Sequence, residues 1–218
     1  MATMPERTKN GIKVIDSIYD QVDFIRLYLN NFRNIPQEYK DDKILIHQGK
    51  DLKSSGKVFW AKNPNEYYFC IDDDIVYPSD YVNYSLSKLR EYNDDVIISY
   101  HGRIFPNKKI KNYFKDHINY FHFDKENSKD VEVDVIGNGV SCWNTNNINI
   151  DVKKFQYLYM DDILVSIQAA KQNKKRIVVS HSEEYLNPLE KIGTTLYDTH
   201  KKNGRNQTKM VNSIKWKR

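Results

Sequence analysis

The chain has 218 residues, enough for one sizeable core and one or two domains. Charged residues make up 29% and the net charge is +5, a mildly basic balance that suits an anionic ligand but lacks the concentrated basic stripe of a nucleic-acid binder. No window approaches the ~18 apolar residues of a membrane span, no signal peptide is visible, and one of the only two cysteines lies inside an apolar strand; a reducing, cytoplasmic setting without a structural disulfide is expected.

Met1-Ala2-Thr3-Met4 reads as the end of a strand and Pro5-Glu6-Arg7 as the loop leaving it, so the first strand is short or the chain is part of a larger protein. Ile12, Ile15, Ile18 and Tyr19 recur at helical spacing, with Thr8 or Asn10 as N-cap. Val22 to Asn30 alternates as a strand, Asn30-Asn31 and Ile35-Pro36 mark a loop, and Lys43 to His47 is a further strand. This alternation predicts a parallel α/β sheet. Gln48 to Lys57 is a polar loop, and Val58 to Ala61 is expected to be helical. The run Tyr67-Tyr68-Phe69-Cys70-Ile71 fits a strand buried on both faces, and it enters three consecutive acids, Asp72-Asp73-Asp74.

A helix begins near Pro78-Ser79-Asp80, capped by Ser79 and buried along Val82, Leu86 and Leu89. Val96 to Tyr100 is the next strand, ending at His101-Gly102-Arg103. From Pro106 to Lys129 the pattern dissolves into aromatics and charges, an excursion off the sheet. Val131 to Ile136 alternates as one strand and delivers Gly137-Asn138-Gly139. Asp161-Asp162 opens a helix, and Arg176 to Ser180 is a last strand before a polar, basic tail anchored only by Trp216.

Three carboxylates at the end of a buried strand repel one another and lose hydration, so a cation is expected beside them, and a divalent metal with oxygen ligands fits best. In open α/β sheets the ligand lies beyond the carboxyl ends of the strands, which brings Thr3 to Arg7, Asp51 to Lys57 and Asp72 to Asp74 to one edge. Asp161-Asp162 reads either as a group under a reacting carbon or as a pair favouring a helix N-terminus. Gly137-Asn138-Gly139 is either a close backbone approach to a ligand or an ordinary turn. Lys57 reads as a phosphate contact or a surface lysine, and His101, His181 and His200 as possible third metal ligands, although each alone is more often not a ligand.

Taken in order, Ala2-Thr3-Met4-Pro5-Glu6-Arg7, Gln21-Val22-Asp23, Tyr28-Leu29-Asn30, the block from Asp72 to Val82, His101-Gly102 and Gly137-Asn138-Gly139 resemble small bacterial capsule and chlorovirus glycosyltransferases of the GT-A fold, among them the GlcNAc transferases of heparosan capsule synthesis. The likeness runs to about Trp143 and resumes around Asp162 and Tyr197 to Lys202; the block from Asp72 to Val82 is its specific part. It implies a single, mostly parallel Rossmann-like α/β domain, nucleotide-binding over about 1–100 and acceptor-facing over about 101–218. The implied reaction moves a sugar from a UDP-sugar donor to a glycan hydroxyl, with Mn²⁺ or Mg²⁺, either with retention, as in the capsule enzymes, or with inversion, in which case Asp162 is the base. Peripheral contact with a membrane face is compatible with it. By position, Ala2, Thr3, Met4 and Arg7 would line the uridine, joined by Asp51 and Lys57. Asp72 would face the nucleotide and the metal, Asp73 would stand beside it, and Asp74 would be the direct metal ligand. His101 and Gly139 would lie near the sugar, and Asp162, more than Asp161, near the anomeric centre. The alternatives are a non-catalytic nucleotide-sugar or glycan-binding module, motivated by size and the abrupt start, and a nucleic-acid-binding domain, motivated by the basic tail.

Overall fold

The computed structural model, which describes residues 1–190, 192–193, 199 and 203–216, opens with a parallel sheet. Its strands are β1 (Ala2–Thr3), β2 (Ile25–Asn30) and β3 (Ile44–Gly49), in that order. Helix α1 (Thr8–Ile18) makes the crossover from β1 to β2 and buries Val14, Ile15 and Ile18. Neither Thr8 nor Asn10 caps it. The chain enters through a 3-10 turn, Pro5–Arg7, and the Thr8 hydroxyl is spent on the Pro5 carbonyl at 2.9 Å, leaving Arg7 at the cap position. Gly11 has a packing reason: a Cβ there would stand 2.6 Å from Oη of the fully buried Tyr39.

The remaining strands are β4 (Tyr67–Ile71), β5 (Ile75–Val76), β6 (Val96–Ser99), β7 (Gly102–Ile104), β8 (Asn119–Phe121), β9 (Val131–Glu132), β10 (Val135–Ile136), β11 (Val140–Asn144), β12 (Lys175–Val178) and β13 (Asn187–Pro188). Helices α2 (Tyr81–Glu91), α3 (Asp161–Lys171) and α4 (Arg205–Val211) complete the described elements. A second sheet has the order β4-β11-β6-β12-β9 and is mixed. Strand β11 runs antiparallel to both β4 and β6, while β6 and β12 are parallel. The expected mostly parallel sheet is therefore corrected to a mixed α/β architecture with several sheets. The difference lies in β11, which inserts between β4 and β6 and runs against both, and in β9, which pairs antiparallel with β12.

Strand β4 is buried on both faces as its sequence predicts. Tyr68 and Cys70 join a core with Trp143, Met160 and Leu164. On the opposite face Ile71 joins a core with Val14, Leu27, Leu89 and Tyr77, and Phe69 packs against it. A third, smaller cluster places Val211 of α4 with Phe105, Ile163 and Ile167. The basic tail is thus folded where described: Trp216 packs against this cluster and stacks with Arg176 at 5.6 Å.

Other expectations need correction. Asp80, not Ser79, occupies the cap position of α2, and no side chain caps it. Its buried stripe is Tyr81, Val82, Ser85 and Leu89, with Leu86 only half-buried. The expected helix at Val58 to Ala61 is instead a 3-10 segment, Lys53–Val58, followed by turns, because Gly56 must press against the Tyr28 ring and Ala2. Val131 to Ile136 divides between two sheets, since the fully buried Asp134 interrupts it and accepts the Phe105 N–H at 2.7 Å. No helix among the described residues is long and apolar enough to cross a membrane.

Candidate functional site

The carboxyl ends of the strands meet at the acidic turn. Strand β4 stops at Asp72 because the next residues are charged and the chain must reverse into β5. The Asp72 N–H donates to Tyr77 Oη at 2.9 Å and to the Gly139 carbonyl at 3.1 Å, and the Tyr77 hydroxyl donates to that same carbonyl. Gly139 is required for space: a Cβ would fall 1.7 Å from Asp72 Oδ2. From the other side, Leu189 N–H donates to the Asp74 carbonyl at 2.7 Å, next to the pairing of β13 with β5, and so pins the turn.

Two cations hold the acids. Arg7 reaches Asp73 Oδ1 at 2.9 Å and Asp74 Oδ2 at 3.5 Å. The buried Lys57 ammonium bridges Asp72 and Asp161, the latter at 3.2 Å. Burial works against the charge on Lys57, yet Asp161 and Asp72 outweigh it and hold its pKa well above the ordinary value. The acidic triplet and the acidic pair foreseen in the sequence, roughly ninety residues apart, are thus joined through one lysine.

At the start of α3 the two acids have separate environments. Asp161 is buried and fully engaged: it accepts from the Ser54 hydroxyl, from Asn138 Nδ2 at 2.8 Å and from Lys57. Burial alone would raise its pKa, but these partners, Lys57 foremost, lower it. Asp162 remains half-buried and accepts the Asn138 N–H at 2.7 Å. Burial and the neighbouring Asp161 charge push its carboxyl up to about 7. Asp74 is likewise raised to about 6, first by burial and then by Asp72 and Asp73, and burial raises Asp73.

The charges do not balance. Arg7 pairs with Asp73 and Asp74 and Lys57 with Asp72 and Asp161, while Asp162 has no ion pair with either and Asp74 only the longer contact to Arg7; these two carboxyls are raised to about 7 and about 6. Among the described residues, no three His, Cys, Asp or Glu side chains converge as a ready-made metal cage. A diphosphate-bridging ion needs only one or two protein carboxylates, the rest of its shell being phosphate oxygen and water. The oxygens of Asp72 and Asp74, in a site short of positive charge, suit that kind of binding.

The other predicted residues fall at different distances from this centre. Thr3 is buried, with Ala2 and Met4 half-buried, along the strand that leads to Arg7. Asp51 lies beyond β3 and bonds Asn31 and Lys53 rather than the acidic turn. His101 sits behind the site: Gly137, which lacks a Cβ, packs against its ring, and burial drives its pKa well below the ordinary value. His181 is buried against Tyr100 and Tyr185 with Nδ1 on the Val179 carbonyl, the packing role that a lone histidine more often has. His200, and the likeness over Tyr197 to Lys202 apart from Thr199, lie outside the described residues.

Sequence reading missed Asn30, Ser54, Tyr77 and Asn138 as site-building residues. Asn30 accepts the Leu52 N–H at 2.9 Å and donates to the Lys53 carbonyl at 3.1 Å, fixing the segment that carries Lys57. Each lies in a stretch that the sequence singles out, Asn138 most visibly as an amide between two glycines, but none was given a role there. Compared with known protein families and with curated proteins, the chain has no match.

Proposed function

We propose that this chain is a metal-dependent glycosyltransferase of GT-A type that moves a sugar from a UDP-sugar to a glycan hydroxyl. One observation carries the reading: an over-acidic, lysine-bridged site assembled at the strand ends, where Arg7, Lys57, Asp72 to Asp74, Asn138, Gly139 and Asp162 converge. Asp74, with Asp72, would hold Mn²⁺ or Mg²⁺, which when bound supplies positive charge to a departing diphosphate. Residues Ala2 to Arg7 and Asp51 would serve the uridine side.

In the reaction the acceptor oxygen bonds to the anomeric carbon. The bond from that carbon to the diphosphate oxygen breaks, its electron pair leaves with UDP, and the acceptor hydroxyl passes its proton to the departing diphosphate oxygen. Lys57 and Arg7 add donors for the developing negative charge. Asp162, half-buried and with its carboxyl raised to about 7, is ionised in part near neutral pH, and its carboxylate form would stand against the positive charge that builds at the sugar. With retention, the outcome the resemblance to the capsule enzymes favours, Asp162 orients and stabilises and does not deprotonate the acceptor.

The test is UDP release from a panel of UDP-sugars with Mn²⁺ or with a chelator. Turnover is expected only with metal, reduced at least a hundredfold by Asp74→Ala. Metal-independent turnover, or full activity in that variant, overturns the proposal.

A further inference from the structure

The aromatic segment that leaves the sheet after β7 is not used by the site described above. It folds back as β8 and forms a cavity of about 400 Å³ lined by Tyr120, Phe121, His122, Asp124, Lys125 and Asn127, within the size range of small-ligand pockets. His122 Nδ1 is paired with Asp124, and both side chains remain about one-third exposed, at 35% and 32%. A carboxylate on Nδ1 fixes the tautomer and leaves Nε2 to face a ligand. Tyr120 is 40% exposed, and its ring is held by the Arg103 guanidinium at 4.8 Å and by the edge of His101 at 5.1 Å.

A short chain of contacts links this cavity to the acidic site. The His101 ring lies 5.1 Å from His122 and packs on Gly137, whose N–H donates to the His101 carbonyl at 2.7 Å. The next residue, Asn138, donates its N–H to Asp162. Arg103 also feels the Asp162 charge, so one guanidinium links the aromatic wall to the proposed reaction centre.

We infer that this cavity is a sugar-binding subsite that seats one pyranose ring of the glycan acceptor. A pyranose presents apolar C–H faces and a rim of hydroxyls that both donate and accept. The Tyr120 ring offers an apolar surface; His122, Asp124, Lys125 and Asn127 offer the matching acceptors and donors. The inference rests on the glycosyltransferase reading for the word acceptor, but the binding of sugar is testable without it.

Saturation-transfer NMR of the full chain with methyl glycosides of glucose, galactose and N-acetylglucosamine, and with short oligosaccharides of the same sugars, reads binding directly. At least one glycan is expected to bind, with affinity reduced tenfold or more by Asp124→Asn, by His122→Gln and by Tyr120→Ala. Thermal melting identifies any variant that fails to fold, and the two polar-for-polar changes carry the test if Tyr120→Ala does. Absence of glycan binding in the parent chain, or equal binding in the folded variants, overturns the subsite. UDP binding, followed in parallel, tests the donor reading separately: its absence sinks the glycosyltransferase but leaves a sugar-binding result standing.

Discussion

At Gly139 a single methyl group sets whether the acidic turn can form. An added Cβ would lie 1.7 Å from Asp72 Oδ2, and the obstructing atom belongs to a carboxylate already tied to Lys57. Gly139→Ala should therefore push Asp72 out of place, destabilise the fold by about 1–3 kcal/mol as overpacking does, and reduce UDP affinity at least tenfold by calorimetry. Asp162 gives a second prediction at this scale, with a pH sign. Its carboxyl is raised to about 7 in the fold against an ordinary value of about 3.9. Between those values the folded chain binds the extra proton, so stability falls as pH rises through the window and the penalty is complete above about pH 7. Asp162→Asn removes it and keeps an acceptor for the Asn138 N–H. Thermal scans should find the variant melting higher than the parent at pH 8, by about 2–4 °C for each kcal/mol relieved, with no gain at pH 4. An equal shift at both pH values would show that the carboxyl charge is not the cause.

Elements bring these residues together, and Lys57 is where three of them meet. The 3-10 segment Lys53–Val58 carries the ammonium, the end of β4 supplies Asp72, and the start of α3 supplies Asp161. Removing one partner of a buried ion pair leaves the other charge uncompensated, so Lys57→Met should cost about 3–5 kcal/mol. Adding Asp161→Asn to it should recover part of that loss, as read from urea unfolding; no recovery would mean that Asp161 is not the charge left stranded. This junction also marks the limit of what the sequence discloses. Strand β4 was legible because a continuous apolar run that ends in acids fits a buried strand meeting a polar edge and little else, and α1, β2 and β3 followed from periodicity. The antiparallel insertion of β11 was not legible, because Val140-Ser141-Cys142-Trp143 carries no mark of direction and Gly137-Asn138-Gly139 reads equally as turn or ligand contact. Lys57 looked like a surface lysine because its burial comes from Asp161, more than a hundred positions away in the chain, and from no local pattern.

On the scale of the whole molecule the charge distribution is uneven. The chain carries a net charge of +5, yet its strand-end site holds five carboxylates against Arg7 and Lys57. That excess weakens the folded state, since Asp74 and Asp162 are charged at neutral pH only against burial and like-charge repulsion. A cation that binds the folded chain and not the unfolded one would therefore stabilise the molecule beyond what its own contacts supply. Mass action sets the size: a ligand at a hundred times its Kd adds about 2.7 kcal/mol, roughly 5–10 °C for a domain of this length. Mn²⁺ with UDP should produce such a shift in differential scanning calorimetry, and UDP with chelator should produce little. The gain should vanish in Asp74→Ala and survive in His181→Gln, because His181 packs among Tyr100 and Tyr185 away from the acids. A metal-dependent shift that persists without Asp74 would move the ion to other ligands. A shift lost with His181 would make that histidine a metal ligand.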